Sequence, residues 1–479
     1  MSNILASLLT TANTLAAYNQ ALAVTQNNVA NASTPGYAKE RVTMEAMAFD
    51  PAYGLSGGVV AGKVQVLRDE YAENSVRSQT LQLGAAQQNV TSYTALQNVF
   101  DITGNSGVPS ALNNLYSAFS AWAQSPSDTV ARQTVLDRAT DVATSFQQTG
   151  TALSKVASST EEQISNTVTQ INTLAAQVRD LNSKVMNDAA ANSGLDAQMT
   201  STLEQLSEYV DFTTLKQSNG TVTVLMNGQT PLVVGDQQYQ VSFSMYQPDT
   251  PPPTYSNAPA LARITASDGT DITSDTTGGQ IGALLNFRNS VLPTYIGDAY
   301  QAGDLNTMAK QFADRVNQIL TGGEVSDGDT PVNGTALFSY DTTNDTNVVQ
   351  TLSLNPAITT DQLAAIDPGP PEVANGIPLA LSGLSDPSSS DDEINGTSFS
   401  AFYGLMASRA GSGLNAAQND VNVQQSAVAQ AENLRDQTSG VSLDEEAMTL
   451  LQFQRAYEAN SKMISVLSSI TETLINMIQ

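Results

Sequence analysis

Residues 439–479 read SGVSLDEEAMTLLQFQRAYEANSKMISVLSSITETLINMIQ, and their spacing carries the architecture. Leu443, Leu450, Tyr457, Ile464 and Ile478 fall in one seven-residue register, with Thr471 filling its gap. Phe453, Leu467 and Leu474 fall in the other, with Asn460 between them. That spacing predicts a long helix with a narrow apolar seam, the pattern of helices that pack lengthwise. Gly440 closes whatever precedes it. Ser442 and Glu445 read as a capping box, and Asp444, Glu445 and Glu446 suit the positive end of the helix dipole.

The N-terminus carries the same period. Leu8, Leu15, Leu22 and Val29 recur every seven residues, while Ile4, Thr11, Tyr18 and Thr25 fill the complementary positions. A helix over this stretch is roughly 40 Å long at 1.5 Å per residue. Leu5, Leu9 and Ala12 widen its apolar arc, and Thr34-Pro35-Gly36-Tyr37 supplies the stop and turn. Two terminal helices with one period are expected to pack on each other. Two helices cannot bury a two-sided apolar surface between themselves, so the seams are expected to serve assembly. The termini are further expected to be disordered in a lone subunit and to fold as it assembles.

Between the ends the pattern changes twice. After Ser125-Pro126-Ser127-Asp128 a helical pattern runs to about Met186, with Ile164, Ile171, Val178 and Val185 spaced by seven. Shorter helices are expected over 111–124, 282–320 with a break near Pro293, and 398–436. Thr221 to Met226 alternates, Asn227-Gly228 is a strong two-residue hairpin signal, and Leu232-Val233-Val234 returns. Pro248 to Pro253 is a connector, and 322–395 reads as a loop-rich β insertion. The expected class is α+β, mainly α, with discontinuous domains: terminal coiled-coil-like helices and a long-helix stalk carrying a β-rich outer domain inserted midway. The terminal pair is 1–40 with 441–479. The helical stalk is 41–202, 276–322 and 396–440, and the outer domain is 203–275 with 323–395.

Composition narrows function. The 479 residues include 46 Asp and Glu against 19 Lys and Arg, for a formal charge of −27. Such a surface repels phosphate backbones and anionic membranes, which argues against nucleic acid as a partner. No Cys means no disulfide or thiolate chemistry, and no His removes the usual general base and the commonest metal ligand. No stretch has the length of a membrane span. No charged residue precedes Lys39, so a basic signal region is missing; composition alone suggests a cytoplasmic protein, and any export would have to use a route without a cleaved signal.

Candidate chemistry is thin, and no catalytic residue, metal site or cofactor is expected. Helix capping accounts for Asp444, Glu445 and Glu446. Asp327-Gly328-Asp329 and Asp391-Asp392-Glu393 lack the alternating ligand spacing of a calcium loop and read as solvated acidic loops. Gly278-Gly279 lacks the lysine of a phosphate loop and reads as a joint. Trp122 shares a helical face with Leu112, Leu115 and Phe119 and reads as core.

Two stretches resemble a known family. Asn27-Asn28-Val29-Ala30-Asn31-Ala32-Ser33-Thr34-Pro35-Gly36-Tyr37 is similar to the N-terminal signature of the bacterial flagellar rod, hook and hook-associated axial proteins. Leu443-Asp444-Glu445-Glu446 and Leu451-Gln452-Phe453-Gln454-Arg455-Ala456-Tyr457 resemble the matching C-terminal signature, in the wording of the hook–filament junction (FlgK) family. Residues 122–136 and 278–296 agree with it, whereas 242–272 and 325–395 lie outside the resemblance. It implies a structural subunit, not an enzyme, located extracellularly in the flagellum and exported by the type III apparatus. Implied partners are further copies in a ring or helical layer, the hook protein, the second junction protein (hook-associated protein 3) and an export chaperone on the C-terminal helix. The expected interface is Ile4, Leu8, Leu15, Tyr18, Leu22, Val29, Leu443, Leu450, Phe453, Tyr457, Ile464, Leu467, Leu474 and Ile478, with Asn31, Pro35, Gly36 and Tyr37 as the family turn. Rival readings are a hook or distal-rod subunit, a secreted adhesin, and a glycosidase using two carboxylates in the β insertion.

Overall fold

The fold is that of a computed structural model describing residues 2–50, 55–100, 106–187, 193–255, 257–326 and 331–478. The polypeptide leaves one end, travels through two stacked cores and returns. Helix α1 (Ser2–Asn31) and helix α12 (Leu443–Ile478) lie antiparallel, with the Tyr18 ring 6.1 Å from Phe453 and Asn28 bonded to Glu446 at 3.1 Å. The first expectation, a terminal helix pair, describes the molecule.

Strands follow α1 where the sequence reading placed the helical stalk. Strands β1 (Glu40–Ala46) and β4 (Val59–Val66) form an antiparallel ribbon with a bulge between Val42 and Met44. Strands β2 (Phe49–Asp50) and β3 (Leu55–Ser56) extend it. The ribbon folds back on α1, where Val59 N donates to Thr14 Oγ1 at 3.2 Å. Both of its faces are half-exposed, so the alternation is weak in apolar residues and easily missed.

Helix α2 (Glu70–Gln97) is capped by Asp69, whose carboxylate accepts from Tyr71 N and Ala72 N. Helix α3 (Gly107–Gln124) ends at Ser125-Pro126, where the Pro126 carbonyl accepts from Trp122 Nε1 at 3.2 Å and Arg132 Nε at 2.8 Å. Helix α4 (Thr129–Asn187) runs 59 residues without interruption. At 1.5 Å per residue it is roughly 90 Å long, the rod that its heptads predict. Helix α5 (Ser193–Tyr209) then turns back along it.

Strands β5 (Phe212–Lys216), β6 (Val222–Met226), β7 (Thr230–Val234) and β8 (Gln237–Gln238) form an antiparallel sheet in that order. Asn227 and Gly228 turn β6 into β7 with φ of 52° and 74°, the positive-φ pair such a hairpin needs. Strands β9 (Ser242–Tyr246) and β10 (Leu261–Thr265) pair beside it across the Pro248–Pro253 connector. Two asparagines tie this layer to α4. Asn182 donates to Val222 O and Gly235 O and accepts from Val222 N, all at 2.8 Å, while Asn172 brackets Val241 in the same way. Asn182→Leu leaves the buried Val222 N–H and C=O and the half-buried Gly235 C=O without this partner and is expected to cost about 2 kcal/mol. A urea-denaturation midpoint checks this.

Helix α6 (Gly279–Asn286) passes through one π-turn, Phe287–Val291, into α7 (Pro293–Ile296). The break near Pro293 is therefore present. Gly297 and Gly303, with φ of 86° and 82°, make a second break before α8 (Asp304–Gly322). Gly279 opens α6 at φ +67°, and a Cβ there would lie 2.6 Å from the Tyr209 backbone, so the glycine serves the close packing of α6 on α5 within one core.

From 323 to 395 the expected β insertion is mostly absent. Strands β11 (Phe338–Ser339) and β12 (Ser353–Leu354) are two residues each, and helices α9 (Val348–Thr351) and α10 (Gly376–Gly383) are short. Asn, Thr and Ser side chains cap single turns there instead of marking strand ends. Helix α11 (Phe399–Ser439) then runs antiparallel to α2.

One core joins α3, the first half of α4, α8, the 337–394 segment and the start of α11 around Trp122, Phe312 and Phe399. The other joins the second half of α4 to α5, α6 and β5–β10, with Ile164, Ile171 and Val178 buried. The stretches 203–275 and 323–395, expected to form one outer domain, thus enter different cores.

Candidate assembly interface at the terminal helices

The motif residues form the base of the terminal pair. Asn28, 1% exposed, makes four hydrogen bonds. Its Oδ1 accepts from Glu40 N and from the Tyr37 hydroxyl, both at 2.9 Å. Its Nδ2 donates to Glu40 O at 2.9 Å and Glu446 Oε2 at 3.1 Å. One amide thereby stitches α1, β1 and α12 together. Burial first, then the Glu40 carboxylate, pushes the Tyr37 phenol well above its ordinary range, so it remains a donor at working pH. Asn27 donates to Glu40 Oε2 at 2.9 Å, and Asn31 folds back on Asn27 O at 3.0 Å while accepting from Thr34 Oγ1.

Glu446 corrects the capping reading. It is 2% exposed and bonds Lys39 at 3.0 Å as well as Asn28. Burial opposes the charge on Lys39, but Glu446 and then Glu445 outweigh it and raise its pKa. Ser442 Oγ does accept from Glu445 N, at 3.4 Å, yet the Glu445 carboxylate goes to Lys39 rather than back to the cap. Ser442→Ala is therefore expected to lose only the single cap bond, about 1 kcal/mol, in thermal melts.

A second set of charges locks this base to the body. Arg68 reaches Glu73 at 2.5 Å, Asp196 at 2.7 Å and the Gly36 carbonyl at 2.7 Å. Arg435 on α11 bonds Glu204 at 2.8 Å, and Lys39 N donates to Ser439 O at 2.9 Å. Gly36 has φ +71°, and a Cβ there would meet Ala197 O at 2.4 Å and Ser201 N at 2.9 Å. The Pro35-Gly36 turn thus sits directly on the α5 backbone.

The expected interface residues divide. Ile4, Leu8, Leu15, Tyr18, Leu22, Leu450, Phe453, Tyr457, Ile464, Leu467 and Leu474 are partly buried. Val29 and Leu443 are exposed, and the Ile478 side chain lies outside the described residues, as does 327–330. Asn31, Gly36 and Tyr37 are half-buried, while Pro35 is exposed. A further stripe escaped the heptad reading. Met463, Ile470 and Met477 recur every seven residues with Val466 among them, all exposed, Met477 to 78%. Leu5 and Leu9 on α1 are each 60% exposed. The signal was present as a third apolar register, offset from the two of the seam.

Between the motif turn and α4–α5 lies an open cleft of about 800 Å³, lined by Asn27, Asn31, Gln177, Asp180, Lys184 and Gln198 among others. Among its described lining residues the one carboxylate, Asp180, is paired with Arg179 at 2.6 Å, so the cleft offers no facing pair for glycoside hydrolysis. The acidic run 391–393 is tied down instead, with Asp392 on Arg315 at 2.7 Å. Among the described residues no helix is long and apolar enough to cross a membrane, and no acidic group of three is placed to hold a metal.

Residues 93–338 match the family model described as the flagellar hook-associated protein FlgK helical domain. Residues 435–477 match the one described as the flagellar basal body rod FlgEFG protein C-terminal. Flagellar hook-associated protein 1 of Bacillus subtilis (strain 168) is 25% identical over 518 residues, covering 99% of each protein. The flagellar hook junction protein FlgK from Burkholderia pseudomallei shares the fold, with a TM-score of 0.62 at 17% identity over 77% of this protein and 100% of that one. With more than half its length matched by the first model, this protein belongs to the FlgK family of flagellar hook-associated proteins, which are structural components and not enzymes.

Proposed function

We propose that this protein is a junction subunit that assembles through its terminal pair and carries filament growth. The observation that supports it is the unburied apolar surface on α1 and α12. The seam residues close the pair, and the Met463–Met477 stripe and Leu5–Leu9 are left for neighbours. Contiguous exposed apolar stripes on a soluble protein mark association sites. Two different stripes meeting head to tail build a ring or helical layer rather than a closed dimer. The first 38 residues carry no charged side chain, which suits a segment enclosed in a wall.

The relatives' names give the hook as a partner, and the exposed stripes and the resemblance at both ends support further copies and a second junction protein beside it. Before export, a chaperone covers the C-terminal stripe. The terminal pair is the axial unit, and the acidic body faces outward. In the lone subunit the pair frays from its distal end, because the polar clamps sit at its base. Limited proteolysis with mass mapping is expected to cut near 2–15 and 463–478 first. Termini as resistant as α4 would remove the ordering step.

The test of assembly is Ile470→Asp. The residue is 43% exposed, so the monomer should melt like the parent. Cells carrying it should show bare hooks and release flagellin into the medium. Normal filaments would sink the assignment of this stripe, and missing hooks would favour a rod or hook subunit.

A further inference from the structure

The sequence holds five Asn-Gly pairs, at 219, 227, 333, 375 and 395. In such a pair the glycine nitrogen can attack the asparagine side-chain amide, because no Cβ hinders the approach. The attack needs a glycine N–H without a partner and an amide free to turn. Four pairs fail both conditions. Gly220 N donates to Gln217 O at 2.9 Å, Gly228 N to Leu225 O at 3.3 Å, Gly334 N to Gly323 O at 3.0 Å and Gly376 N to Val373 O at 3.1 Å. Asn219 accepts from Thr221, and Asn227 donates to Thr276. Asn333 donates to Thr321 O, and Asn375 to Ala123 O.

Asn395-Gly396 differs. It is the exposed turn between Ile394 and Thr397, which exchange backbone bonds of 2.8 and 3.1 Å. Neither the Gly396 N–H nor the Asn395 amide has a partner among the described residues. Nothing lies within 4 Å of the Cβ position at Gly396, so the glycine side of the turn is open to water.

We infer that Asn395 is a site of spontaneous covalent modification, left open by this turn while the fold protects the other four. The Gly396 nitrogen bonds to Asn395 Cγ, the bond from Cγ to the amide Nδ2 breaks, and ammonia leaves carrying the proton from the glycine nitrogen. Water then opens the resulting succinimide at either carbonyl, leaving aspartate or isoaspartate. No electrons are transferred. Both products add negative charge beside Asp391, Asp392 and Glu393. Isoaspartate also inserts one carbon into the backbone between Ile394 and Thr397, just before the Ser398 cap of α11. In a structural protein held in an assembly the change accumulates with age.

The experiment is timed peptide mapping of the full-length protein in mildly alkaline buffer, folded and in concentrated urea. In urea all five pairs are expected to convert. In the folded protein Asn395 should convert roughly tenfold faster than any other, since each protected pair must first break its hydrogen bonds. Asn395→Gln should remove most of the ammonia released by the folded protein. The inference is overturned if Asn395 stays intact while the urea sample converts, or if another pair keeps pace with it in the folded state.

Discussion

Gly36→Ala is expected to undock the motif turn from the body at a cost of about 2–5 kcal/mol. Two costs add. A non-glycine residue at φ +71° carries roughly 1–2 kcal/mol of backbone strain. The new Cβ would also lie 2.4 Å from Ala197 O and 2.9 Å from Ser201 N, and both belong to helix backbone, which cannot swing aside like a flexible side group. If the turn lifts to relieve the clash, Arg68 loses the Gly36 carbonyl and is left buried with only its carboxylate partners. Hydrogen exchange should then rise at 33–40 and 193–205 while α3 and the first half of α4 stay protected. A variant within about 0.5 kcal/mol of the parent would mean that the turn does not rest on α5.

That contact shows where sequence reading stops. Pro35-Gly36 announces a turn, but nothing in it names α5 as the surface beneath. The seams, the α4 rod and the Asn227-Gly228 hairpin were legible because each is a local pattern with one physical solution. The choice of buried face was only partly legible. The C-terminal helix has a further apolar register beside the two of the seam, and burial of Phe453 and Leu467 rather than Met463 and Ile470 depends on which of them Tyr18 meets. Glu446 was misread for a related reason. A first-turn glutamate suits the dipole whether or not it is buried, and only the tertiary approach of Asn28 and Lys39 makes it structural. The β1–β4 ribbon and the 323–395 segment were lost for opposite causes. The first lacks a clean apolar face, and the second spends its polar residues on capping single turns.

Asn28→Asp is the sharper test of the base. The substitution keeps the shape but turns the two donated bonds, to Glu40 O and Glu446 Oε2, into contacts between acceptors. It also buries a third carboxylate beside Glu40 and Glu446, with Lys39 the one cation bonded to Glu446 among the described residues. A buried charge lacking its partner costs about 3–5 kcal/mol, enough to release α12 from β1 at neutral pH. Burial and like charge raise the folded pKa of such an aspartate above its ordinary value of about 3.9. Below the unfolded value both states hold the proton and the electrostatic penalty vanishes. Between the two values the folded state binds more protons, so stability falls as pH rises, and above the folded value the full penalty remains. The gap between variant and parent should therefore widen from acid to neutral pH. Asn28→Ala, which loses the same bonds without a charge, should show no such slope from this position. Equal melting of Asn28→Asp and parent at pH above 7 would show that the amide does not donate to Glu446, and that the Lys39 pairs and the apolar seam hold the base without it.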